Sequence, residues 1–263
     1  MASDKAGPPP GSAPAGPLFL SRLAEGPADL AAVQQLRYQV FVRELGGDGP
    51  LVDHAAGLER DEFDAACDHL MLIDAATGDL AAVYRLMRED QAAAFGRYYT
   101  EGEYDLAPLR HSGRRLLELG RSCARADYRG GPAMLVMWNA LADYVLDRGI
   151  EVLFGTASFH GTDPQALAQP LTLLHRDHLA PAALRPRSRA FQLMDLVAEA
   201  ALDRRAALAA LPPLIRAYLR LGGVVGEGAF IDRAFNTVDV CLVLDTARMS
   251  ARHRAHYSRG KTE

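Results

Sequence analysis

The feature that most constrains the fold is the run from Leu116 to Phe159. A strand-like stretch, LLELGRSCA, is followed by Gly130-Gly131 and then by Pro132 at the start of a helical pattern. That pattern places Met134, Leu135, Trp138, Leu141, Ala142 and Val145 on one broad apolar face, and Gly149 follows its end. Proline inside the first turn and glycine past the last are the ordinary punctuation of a helix. A second apolar run, EVLFGTASF, comes directly after it. A strand, a helix and a strand in that order predict a crossover with parallel pairing, so the chain must contain a sheet with helices packed on it.

The first strand of this unit contains a conflict. At a period of two, Glu118, Gly120, Ser122 and Ala124 share one face and Arg121, Cys123 and Arg125 the other. Glu118 and Arg121 can cooperate only if the strand is irregular, and Gly120 between them is where a bulge is cheap. Charged side chains in a central strand are costly to bury unless paired, so a site explains them better than a core does. The glycine turn at the following helix start is a natural anion site, since unbonded N–H groups point outward there.

Around this unit, Phe19–Leu23 reads as a short strand, and a helical stripe begins near Asp29 with Leu30, Val33, Arg37, Val40, Phe41 and Glu44 on one side. Arg37 inside that stripe is ordinarily a snorkelling arginine with a packed stem; the functional reading turns its guanidinium into a cleft. His69–Asp74 and Leu80–Leu86 form a hairpin around Thr77-Gly78-Asp79. Asp61, Glu62, Asp64 and Asp68 precede it and read as a solvated acidic loop, without calcium-loop spacing, and no metal is expected. Gln165–His175 and Leu211–Leu221 are expected helices, while Ala190–Val197, Val224–Ile231 and Val238–Leu244 are expected strands. The alternation argues for one mixed α/β domain over residues 18–246. Residues 1–17, all small residues and proline apart from a few, read as a disordered tail, and residues 247–263 as a basic tail or helix able to touch anionic lipid.

Composition narrows the function classes. A net charge of −4 gives no basic footprint for nucleic acid. Three widely separated cysteines, Cys67, Cys123 and Cys241, show neither zinc spacing nor a disulfide framework, which suits a reducing, cytoplasmic setting. No P-loop, dinucleotide fingerprint or nucleophile elbow is present.

The segments LRYQVFVRE, DEFDAACDHL, YRLM, LELGRSCARADYRGG, LFGTASFHGTDP, LPPLIRAYLRLGG and IDRAFNTVDV, in that order from about Leu36 to Leu244, resemble the Gcn5-related N-acyltransferase (GNAT) superfamily. Within it they are most similar to the bacterial L-ornithine N-alpha-acyltransferases, which make lyso-ornithine lipid. The resemblance implies a GNAT fold, a mixed twisted sheet flanked by helices. It also implies transfer of a (3-hydroxy)acyl group from acyl-carrier protein to the α-amine of L-ornithine, with no bound cofactor. The chain is similar at greater distance to acyl-homoserine-lactone synthases, whose recurring pattern is matched by Arg37, Phe41, Asp61, Asp64, Arg85, Glu118 and Arg121. Those synthases carry a tryptophan just after the first helix, whereas Trp138 here lies in the later one, which disfavours a lactone product. Acetyl-CoA-using relatives carry R/Q-x-x-G-x-G/A at the glycine turn. Arg125 to Gly131 departs from that, which suits a carrier bearing a single phosphate.

The resemblance thus implies Glu118 as general base with Arg121 beside it, and Arg37, Phe41, Asp61, Asp64 and Arg85 around the amino acid. It implies Ser122, Arg125, Arg129, Gly130 and Gly131 at the phosphopantetheine. Other amine acceptors, a lactone synthase and a non-catalytic acyl-carrier or lipid-binding module are the alternatives.

Overall fold

The computed structural model describes residues 18–49 and 52–248. The expected tail over 1–17 lies outside the described residues, as does all but the first two residues of the basic segment. Eight strands build one sheet: β1 (Phe19–Leu23), β2 (Asp68–Asp74), β3 (Leu80–Arg88), β4 (Leu116–Ala124), β5 (Val152–His160), β6 (Val224–Val225), β7 (Phe230–Asp232) and β8 (Thr237–Asp245). The order across the sheet is β1-β2-β3-β4-β5-β8-β6, with β7 also on β8. Only β4 and β5 run parallel, joined by the helix Pro132–Asp147, as the strand–helix–strand pattern requires.

Alternation along the strands assigns a helix to each face. Leu70, Leu72, Ala82 and Tyr84 pack with Ala133, Met137 and Leu141 of the Pro132–Asp147 helix. Met71, Val83 and Cys123 point the other way, toward Val33 and Leu36 of the helix Gly26–Arg37 and Val40 just beyond it. That first helix does not stop at Arg37. It widens over Tyr38–Glu44 into turns whose bonds reach five residues back, as in Leu45 N–H to the Val40 carbonyl at 3.1 Å. Wide turns of this kind recur at functional sites.

Three departures from the sequence reading concern the second half, the first being that Val224–Ile231 is not one strand but is split between β6 and β7. Ala190–Val197 is not a strand; it crosses the surface with a single bridge, Gln192 to Ala229. The helix expected from Gln165 starts at Ala168 and runs to Asp177, because Asp163-Pro164 is spent on a turn. The shorter helix Pro213–Arg220 ends at Gly222-Gly223 as the glycines suggest.

Strand β4 carries the bulge. Its ladder with β3 pairs Gly120 with Arg85 and Cys123 with Val83, so three residues on β4 span two on β3. Arg121 takes up the extra length at φ 50, a left-handed conformation uncommon for a residue with a side chain. The bulge puts Cys123 on the face that already holds Glu118 and Gly120, opposite Val83, Arg85 and Met87. Ser122 is turned to the other side, where its hydroxyl meets Tyr84.

Candidate active site

The parallel ladder is short. Only Leu116–Glu118 pairs with Val152–Phe154, although β4 continues to Ala124 and β5 to His160. At the fork the strands touch closely: a Cβ on Gly155 would lie 2.0 Å from the Leu119 carbonyl oxygen, so only glycine fits. Beyond it the strands part and enclose a cavity of about 460 Å³. Gly120, Arg121 and Ser122 line one wall, and Thr156, Ala157 and Ser158 the other, with Phe41 from the widened helix closing over them. The helix Pro132–Asp147 starts where β4 leaves the sheet, at the open end of the fork, with Gly130 at φ 75 and no side chain capping its first turn.

Glu118 sits at the floor of the fork, 4% exposed. Its two carboxylate oxygens accept the backbone N–H groups of Tyr99 at 3.0 Å and Thr100 at 2.6 Å. Burial raises its pKa against the pull of those bonds and of Arg85. A carboxylate fixed in place with a raised pKa is the ordinary preparation of a general base. Beside it, Arg121 and Ser122 have no paired residue in the register of β4 with β3 or β5, and both line the cavity.

Arg37, Arg85 and Arg121 are brought together with three carboxylates in a closed ring. Glu59 accepts from Arg37 Nε and from Arg121 Nε, the latter at 3.1 Å. Asp61 accepts from Arg121 Nη2 at 3.1 Å and Arg85 Nη1 at 2.5 Å. Asp64 accepts from Arg85 Nη1 at 3.0 Å and Arg37 Nη1 at 2.6 Å, closing the circle. Three positive and three negative charges thus balance inside the protein. Burial alone would raise the carboxyls of Asp61 and Asp64, but the arginines overcome it and hold both below the usual range.

Both ordinary readings of these residues are thereby corrected. Arg37 is fully buried and does not snorkel; its stem stays in the apolar stripe because two carboxylates meet its head. Asp61 and Asp64 are not part of a solvated loop, although Glu62 between them is exposed and pairs with Arg97. Arg85 and Arg121 reach the cavity wall, while Arg37, Asp61 and Asp64 stand behind it. Glu59 was not singled out from the sequence, since one acid in a loop of acids carries no local mark.

The residues expected at a phosphopantetheine are split. Ser122 lines the cavity. Arg125 is engaged by Asp127 at 2.7 Å and lies over Tyr128, and Arg129 is held by Glu44 at 2.6 Å and by the Ala124 carbonyl at 2.8 Å. Gly130 and Gly131 are exposed, with open space at both.

A second acidic group was missed from sequence. Glu103, Asp232 and Asp239 line the cavity, with one carboxylate oxygen of each lying within 4.8 Å of the others. Burial first, then the neighbouring carboxylates, pushes Glu103 well above the usual range, and burial pushes Asp239 up to about 6. The cysteines offer no competing nucleophile: burial pushes Cys67 and Cys123 up to about 12 and holds Cys241 well above the ordinary thiol range.

A forked parallel pair with a bulged strand at a helix start defines a class. Residues 36–139 match the Acetyltransferase (GNAT) domain family. A CoA-dependent acyl-homoserine lactone synthase, solved with S-adenosylmethionine and isopentyl-CoA, shares the fold at a TM-score of 0.50 and 13% identity, over 88% of this chain and 81% of that one. The protein is therefore an acyltransferase on a GNAT fold. Its particular group follows from curated relatives. An L-ornithine N(alpha)-acyltransferase of Rhodobacter capsulatus is 64% identical over 90% of this chain and 94% of its own length. Those of Brucella abortus and Rhizobium meliloti are 38% and 39% identical, each over 90% of this chain. The chain belongs to the L-ornithine N(alpha)-acyltransferase family.

Proposed function

We propose that the protein transfers a (3-hydroxy)acyl group from the phosphopantetheine thioester of acyl-carrier protein to the α-amine of L-ornithine, giving lyso-ornithine lipid. The observation that carries this is Glu118, buried and pinned at the floor of the fork, beside a bulge at Arg121 and Ser122 that lines the same cavity. The amine loses its proton to Glu118, directly or through one water, and its nitrogen attacks the thioester carbonyl. The carbon–sulfur bond breaks, and the carrier leaves as thiolate, which takes up a proton. A backbone N–H at Arg121 or Ser122 donates to the oxyanion; loss of such a donor typically lowers the rate ~10²-fold or more.

The remaining roles follow from reach. Arg85 Nη2 has no partner among the described residues, and Arg85 lines the cavity, so it holds the acceptor's α-carboxylate. Arg37, Glu59, Asp61 and Asp64 keep Arg85 and Arg121 in position from behind the wall. The acyl chain lies between β4 and β5 toward Phe41 and Tyr84, with Trp138 behind Tyr218 at 5.0 Å. The carrier's phosphate meets Ser122 and the N–H groups at Gly130-Gly131, where a helix dipole favours it. Arg125 and Arg129 present a basic edge to an acidic carrier. No helix among the described residues is long and apolar enough to cross a membrane; the reaction belongs in the cytoplasm, at most in peripheral contact with the membrane.

The test is release of free carrier thiol from acyl-carrier protein in the presence of L-ornithine, with the product's mass confirming an amide on the α-nitrogen. No thiol release from folded protein, or release unaltered by Glu118→Gln, would overturn the reading.

A further inference from the structure

The carboxylates of Glu103, Asp232 and Asp239 are not used by the acyl-transfer chemistry. Glu103 is 6% and Asp239 4% exposed, yet Glu103 Oε2 and Asp239 Oδ1 have no hydrogen-bond partner. No arginine, lysine or histidine among the described residues pairs with any of the three. Asp232 Oδ1 is held by the N–H groups of Ala234 and Phe235 at 2.8 and 3.1 Å, which fixes it at the turn between β7 and β8. Arg121, the nearest cation, is already shared by Glu59 and Asp61. Buried carboxylates left without a counter-charge are costly, and these open onto the same cavity as Glu118.

We propose that Glu103, Asp232 and Asp239 form the recognition site for the side-chain ammonium of the acceptor, so that the cavity selects a diamino acid. An ammonium has three N–H donors and no acceptor, and here three carboxyls converge to receive them. One turn of chain serves both the base and the trio. The N–H groups of Tyr99 and Thr100 hold Glu118, and the same turn bonds Glu103 N–H to the Thr100 carbonyl at 3.0 Å. One amine would then meet the base while the other remains charged in the trio. Asp61 and Asp64, the alternative partners for that charge, are satisfied by arginines.

A divalent cation is the other guest three carboxyls can take. It calls for fully ionised ligands, whereas burial and the facing carboxylates of Asp232 and Glu118 raise Glu103 and Asp239 against the pull of Arg121 and disfavour full ionisation of the trio. A singly charged guest asks for less charge on the trio than a divalent ion does.

This inference rests on the acyl-transfer reading, and calorimetry on the full chain with L-ornithine and L-norvaline, which lacks only the ammonium, separates the two. Ornithine is expected to bind on the order of 10³-fold tighter or more, releasing protons near pH 6 as norvaline does not. In Asp239→Asn and Glu103→Gln the preference should fall below about tenfold. Equal binding of both amino acids, an unaltered ratio in both variants, or displacement of ornithine by calcium or magnesium at the trio would overturn it. If the variants fail to fold, proton release on the wild-type protein decides: no release overturns the assignment. Selective ornithine binding without thiol release would leave the assignment standing and remove the acyl-transfer reading. Thiol release equally fast with norvaline would do the reverse.

Discussion

Two buried groups of three carboxylates flank Glu118, and they are solved in opposite ways. Glu59, Asp61 and Asp64 are each bridged by two of three arginines, and the ring is neutral. Glu103, Asp232 and Asp239 have no cation of their own among the described residues. The first group completes itself within the fold and serves to hold Arg85 and Arg121 in place. The second is complete only with a guest. Carboxylate count says nothing about role; whether the charge is already balanced inside the protein does.

The largest expected effect breaks the neutral ring. Arg37→Met leaves Glu59 and Asp64 each short of one cation in a buried site, and such losses run to about 3–5 kcal/mol. Urea unfolding would measure it, and a change near zero would mean that the ring does not hold this region. Asp239→Asn should do the contrary and leave the unfolding midpoint of the ligand-free chain the same or higher, since it removes a buried charge and its repulsion by Asp232.

Glu118 belongs to neither group, its two oxygens being held by the backbone N–H groups of Tyr99 and Thr100. Glu118→Gln should lower kcat by about 10²–10⁴ while ornithine affinity, which the other groups set, changes little. Parallel losses in both would make Glu118 a binding group and blur the distinction.

Acid should act on the two groups with opposite signs. Asp239's folded pKa of about 6 lies above its unfolded value near 3.8, so its contribution to stability is present below about 3.8 and is lost as pH rises through 6. Glu103 shifts in the same direction. Asp61 and Asp64 have depressed pKa values, so their contribution is present above about 3.8 and is lost only as pH falls below that range. Melting temperature across pH 4–7 should therefore gain more from added ornithine at the upper end than at the lower. The smallest effect belongs to Arg125→Gln, which touches neither group. Its unfolding midpoint should stay within measurement scatter, with a few-fold rise in KM for the carrier alone.

Local marks made much of this legible in the sequence. Gly130-Gly131-Pro132 and Gly149 punctuate the crossover helix within its own neighbourhood, and parity between Glu118 and Arg121 around Gly120 announces the bulge. Arg37 was not legible, because its partner Glu59 is 22 residues away and looks like any loop acid. The acidic loop was misread for the same reason: solvation and burial leave identical letters. Glu103, Asp232 and Asp239 come from a turn, a hairpin tip and the middle of a strand, and only the fold brings them together. One signal was available. Asp239 interrupts the apolar run VDVCLVL as Glu118 interrupts LLEL, and an acid amid buried strand residues asks for an explanation in either place.

The closed ring has a consequence for ionic strength. Its six charges lie at 0–11% side-chain exposure, out of reach of dissolved counter-ions, so salt that screens surface charge over about 8–10 Å leaves the floor of the cavity as it was. Pairs such as Arg125 with Asp127 and Arg129 with Glu44 are open to solvent. Salt should then slow the arrival of an acidic carrier at that edge without altering the step that follows, making the response to added salt a gauge of docking alone.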